Sequence, residues 1–119
     1  MHDRALIGRI VGEQLSSVAF VQDYVELHFD GPVIRAFSAP IVSDETGTIR
    51  FPGAGSRDKL CSLIGRTVSS FELLADVELR LSLGTAELIV PLDAARTVGP
   101  EAMHFQDSVT APVQIWTVG

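Results

Sequence analysis

Cysteine is nearly absent from this 119-residue chain. Cys61 is the only one, so no internal disulfide can form. Its neighbours Leu60, Leu63 and Ile64 point to a buried thiol. No apolar run approaches the roughly 18–20 residues that a membrane span needs. The opening MHDRALIGRI has neither the apolar core nor the small-residue cleavage site of a secretory signal, so a cytoplasmic location is expected. Basic residues are scarce, nine against fifteen acidic ones, for a formal charge of −6. The arginines are scattered, with no two adjacent, which argues against nucleic acid because that function needs a concentrated basic patch. With one thiol and three histidines (His2, His28 and His104), no Cys/His zinc spacing exists. No metal or cofactor is expected.

What the chain does have is 46% apolar and 20% charged residues, the mix of an ordinary folded domain. The length suits a single domain over residues 1–119. LIGR occurs at 6–9 and again at 63–66, and YVELHFDG (24–31) is followed in the same order by DVELRLSLG (76–84). We read these as two tandem copies, repeat 1 over about 6–42 and repeat 2 over about 63–118, with a connector and short helix at 43–64.

Each copy alternates apolar and polar residues with the period of a half-buried strand: Val25, Leu27 and Phe29 against Glu26, His28 and Asp30, then Val77, Leu79 and Leu81 against Glu78, Arg80 and Ser82. Turn glycines follow at Gly31 and Gly84, then the apolar runs VIRAF and ELIVPL. The expected fold is mainly β: two antiparallel meanders closing into a small barrel or packing as a sandwich. Ser56 is expected to cap a helix over RDKLCSLI, with Leu60, Leu63 and Ile64 as its apolar stripe. GPEAMHF is expected to form one helical turn, and PVQIWTV a closing strand with Val113 and Ile115 inward.

The motifs LIGR-x-V twice, Asp23-Tyr24 with its alternating strand and Asp-Gly turn, and the tryptophan-containing last strand resemble a family of small bacterial two-repeat all-β proteins of unknown function. The likeness covers nearly the whole chain and rests on turn glycines and core alternation. It implies a fold and no catalytic residue. Two departures are SLGTAE in place of an Asp-Gly turn and Met103 where an aromatic is typical. A weaker likeness, to the Sm-like nucleic-acid-binding fold, lies in GRIV and QDYVELHF, and the acidic balance opposes it.

Glu26, His28 and Asp30 are spaced to share one strand face, where a carboxylate beside an imidazole would orient a base or hold a ligand or metal. The plainer reading is the wet side of a strand. Glu101 and His104 would share a face of a helix, as half of a two-metal site whose other half is missing. GAGSRDK lacks the spacing of a phosphate-binding loop, and no serine has a nucleophile context. Tyr24 and Trp116 fall out of phase with the core positions, so both are expected on an outer face, as partner anchors or beneath a helix or second subunit. The expectation is therefore a non-catalytic module binding another protein, a basic one by charge complementarity, in the manner of an adaptor or an immunity-type neutraliser. The alternative is a small-ligand or metal-binding barrel, for which a polar pocket between the copies would be the sign. A homodimer is expected from uncovered sheet edges.

Overall fold

A computed structural model describes residues 4–22, 24–108 and 110–118. His2 and Asp23 lie outside the described residues. The chain opens with a helical turn, α1 (Arg4–Ile7), that tightens to 3-10 geometry over Gly8–Ile10. A meander follows: β1 (Ser17–Val21), β2 (Tyr24–His28) and β3 (Val33–Ala36). Next comes a hairpin of β4 (Ile41–Asp44) and β5 (Gly47–Arg50). The order then recurs: helix α2 (Ser56–Cys61), meander β6 (Ser70–Leu74), β7 (Glu78–Leu83) and β8 (Ala86–Pro91). A 3-10 turn at Ala94–Arg96 leads to the hairpin β9 (Glu101–Gln106) and β10 (Val113–Thr117).

The strands form two five-stranded antiparallel sheets, β1-β2-β3-β9-β10 and β5-β4-β8-β7-β6. Neither closes into a barrel, and the molecule is a sandwich. Each sheet takes three strands from one half of the chain and a hairpin from the other. Residues 43–50, expected in a connector, thus complete a sheet: β4 pairs with β8 through Ile41–Ile89 and Val42–Leu88. Reciprocally, β9 pairs with β3 through Ile34–Phe105 and Ala36–Met103. The inward residues of both sheets, among them Leu27, Phe29, Ile34, Leu79, Leu81, Leu88 and Phe105, merge into one buried cluster. Each contributes about 1.5–3 kcal/mol by leaving water.

The halves meet at an isolated antiparallel bridge, Gln14–Thr67. Its flanking hydrogen bonds are reciprocal. Gly12 N–H donates to Val68 O (2.8 Å) and Gly65 N–H to Leu15 O (2.7 Å), while Leu15 N–H reaches Arg66 O (3.0 Å) and Val68 N–H reaches Glu13 O (2.9 Å). A local twofold relation therefore equates Gly12 with Gly65, both at φ +91°. It also equates buried Ile7, Ile10 and Leu15 with buried Leu60, Leu63 and Val68. The two LIGR segments are not equivalent: their spacing of 57 exceeds the structural spacing of 53 by four residues, about one helical turn. Through β2 and β3 the spacing is 54, because two residues join Val21 to Tyr24 whereas three join Leu74 to Glu78.

Other expectations are corrected by local geometry. Gly55 at φ +82°, not Ser56, is the N-cap of α2. Leu60 and Leu63 face inward, so the intervening Cys61 turns outward and is exposed, and Ile64 stays 43% exposed. Lys59 Nζ ties the helix to the β4–β5 turn through Asp44 Oδ2 (2.8 Å) and Thr46 Oγ1 (3.1 Å). The Lys59 ammonium and the hydroxyl and amide of Thr46 hold the Asp44 carboxyl well below the usual carboxylate range. EAMHFQ is strand β9, not a helical turn. No helix among the described residues is long and apolar enough to cross a membrane.

Candidate functional site

Alternation along β2 places Tyr24, Glu26 and His28 on the outer face of the first sheet. His28 Nε2 lies 3.1 Å from Glu26 Oε1, and Arg35 Nε donates to Glu26 Oε2 at 3.0 Å across the β2–β3 pair. Burial alone would raise the pKa of Glu26, but the hydrogen bonds from His28 and Arg35 and their charges outweigh it and lower it. Asp30 does not join them. It is an exposed turn residue at φ +38°, its N–H directed at Ser16 Oγ (3.5 Å). The third member of the cluster is thus a guanidinium, which opposes a cation. No three His, Cys, Asp or Glu side chains gather to hold a metal among the described residues. Glu78 and Arg80, considered as neighbours of this group, lie in the second sheet. There Arg80 and Arg96 both bind the buried Glu78 carboxylate, at 2.7 and 3.2 Å.

The last strand has the opposite phase to that expected. Trp116 pairs with the core residue Met103 and is 5% exposed, whereas Val113 and Ile115 face out at 42% and 41%. Burying the indole removes the largest apolar surface on the strand from water. Trp116 is therefore a core residue. Tyr24 is half-buried, with its ring 4.9 Å from that of Phe37, which in turn meets His104 edge-on at 4.6 Å. A register shift between Trp116 and Thr117 skips Ala102, so Glu101 and His104 fall on one side of β9. His104 Nε2 lies 3.4 Å from Glu101 Oε1, within ion-pair range but without a hydrogen bond.

The residues that sequence reasoning missed lie in the two crossovers between sheets. The first crossover, Phe37–Pro40, is four residues long; the second, Leu92–Pro100, is nine. The halves depart most from each other here, and a groove opens between the crossovers. One compartment, of about 160 Å³, is lined by Tyr24, Phe37, Ser38, Ala39, Arg50, Phe51, Arg96 and Val98 among others. The other, of about 430 Å³, is lined by Phe37, Val98, Gly99, Pro100 and Glu101. Phe37 and Val98 border both.

The walls are fixed in place. The N–H groups of Phe37 and Ser38 both donate to Ala102 O, the carbonyl at the register shift. Arg96 Nε donates to Asp93 Oδ1 at 2.8 Å and its Nη2 to Val77 O at 2.9 Å. Its own carbonyl accepts from Arg50 Nη2 at 3.0 Å. Three polar atoms of this region are buried without a hydrogen-bond partner: Ser38 Oγ, Thr97 Oγ1 and His104 Nε2. Ser38, only 3% exposed, lines the smaller compartment, Thr97 immediately precedes Val98, and His104 packs on Phe37. Among the described residues no Ser, Thr or Cys side chain hydrogen-bonds either imidazole. Comparison with protein-family models, with curated proteins and with solved structures gives no match.

Proposed function

We propose that this chain is a non-catalytic binding module whose small ligand sits in the groove between the two crossovers. The observation that supports this most is the buried Ser38 hydroxyl, which lines the smaller compartment without a hydrogen-bond partner, with Thr97 and His104 similarly placed next to lining residues. Folded proteins pair nearly all such atoms, and those left over gather where a ligand or water completes them. The apolar walls would bury most of a small molecule, and the polar atoms would orient it. A spectrum-based test is direct. Compounds from a fragment set should shift the amide signals of Tyr24, Phe37 and Val98, and Ala39→Trp, which fills the smaller compartment, should abolish those shifts. A set that moves none of these signals, or moves them equally in the filled variant, overturns the reading.

A protein partner is the second reading, favoured by exposed Val113 and Ile115 on the outer face beside His104 and Gln106. The −6 charge would steer a basic partner. Capture from lysate that is lost in Ile115→Glu but kept in Ala39→Trp would favour this face over the groove. The same variants, compared by sedimentation, test self-association through it.

A further inference from the structure

Resting on the groove reading above, we propose that the ligand is an organic carboxylic acid carrying one aromatic ring, with its carboxylate on Arg50. Arg9, Arg35, Lys59, Arg80 and Arg96 each have a carboxylate partner. Arg66, outside the groove, has none and meets only the Leu83 carbonyl, and Arg50 too has none among the described residues. Its guanidinium meets only the neutral carbonyl of Arg96, although acids outnumber bases by fifteen to nine in the chain. Arg57, likewise without a carboxylate, lies over the Phe51 ring at 5.0 Å, so two uncompensated guanidiniums flank the Phe51 end of the groove. The smaller compartment is lined by two arginines, Arg50 and Arg96, and among the described residues by no carboxylate, whereas Glu101 lines the larger one. Arginine presents a planar fork of donors that matches a carboxylate.

Size and lining determine the rest of the ligand. A compartment of about 160 Å³ is close to the volume, about 150 Å³, that accepts a benzene ring in a protein interior. Its walls include the Tyr24, Phe37 and Phe51 rings. Ser38 Oγ, buried and without a partner in the same compartment, supplies a hydrogen bond to a ligand oxygen.

The test is an amide-resolved titration of the whole chain with 3-phenylpropionate and with its neutral counterpart 3-phenylpropanol. The acid should move the Phe37, Ala39 and Val98 signals saturably. Arg50→Gln should weaken it about tenfold or more, to the level of the alcohol. Arg50→Lys, which keeps the charge without the fork, should fall between. Arg50 is exposed, so both variants should keep the spectrum of the rest of the molecule. Equal binding of acid and alcohol, unaffected by Arg50→Gln, would overturn the carboxylate assignment and leave the groove reading standing. Groove signals that move with neither compound, nor with any of the fragment set, would overturn both.

Discussion

Glu26 accepts from two groups at once, Arg35 and His28, and its depressed pKa turns that geometry into a pH dependence. A carboxylate whose pKa is lowered by folding adds stability above its unfolded value. That stability is lost as pH falls below the ordinary value of 4.5 and through the folded one. Glu26→Gln is expected to cost about 1–2 kcal/mol near neutrality, since both bonds are charge-assisted and only partly exposed. Urea unfolding of the two proteins at about pH 7 and about pH 3 checks it: the gap should narrow in acid. A gap that stays constant would remove Glu26 from the acid response. Ser38 tests the site from the other direction. A buried hydroxyl without a partner contributes nothing to the free fold, so Ser38→Ala should leave stability within about 0.5 kcal/mol, or raise it. A loss above about 1 kcal/mol would mean that the hydroxyl is satisfied in the free protein, and would remove the main support for the groove.

At the level of elements, the equivalence of Gly12 and Gly65 has a measurable consequence. Both have φ +91° with nothing within 4 Å of an added Cβ, so the cost of alanine there is backbone strain alone. Gly12→Ala and Gly65→Ala should each cost about 1–2 kcal/mol. Gly8, which the LIGR spacing would match to Gly65, lies in a 3-10 turn where a Cβ would stop 3.4 Å from the Phe71 ring. Gly8→Ala should cost clearly less, by equilibrium denaturation. Equal losses at Gly8 and Gly65 would restore the LIGR pairing. The case also explains what could be read from the sequence. Strict alternation made β2 and β7 legible, and turn glycines marked their ends. Strand β9 was not legible, because its register shift sets buried Ala102 beside buried Met103 and makes Glu101–His104 look helical. Trp116 was assigned to the wrong face because phase within an apolar strand is set by the neighbouring strand, here Met103 and Phe105, and not by its own residues. The groove was invisible for a related reason: Phe37, Ser38, Thr97 and Val98 are crossover residues with no periodicity of their own.

For the molecule as a whole, the exchanged hairpins decide how it folds. Alternation predicts sheets of either parentage. Only the pairing of β4 with β8 and of β9 with β3 makes each sheet a joint product of both halves. A half-chain would therefore leave β3 or β8, both central and apolar, with an unpaired edge, and would expose the residues that the other hairpin covers. Residues 1–53 alone should show no cooperative thermal transition at low concentration. Adding residues 54–119 in equal amount should restore one, with near-native ellipticity. Because the halves share one element order, two copies of residues 1–53 could also exchange hairpins with each other. Any transition they show should then rise in midpoint with protein concentration, as an obligate dimer requires. A sharp, concentration-independent transition from residues 1–53 alone would mean that the hairpin can fold back on its own meander. The joint sheets would then be a product of duplication and not a condition for folding, and the groove between the crossovers would lose its rigid frame.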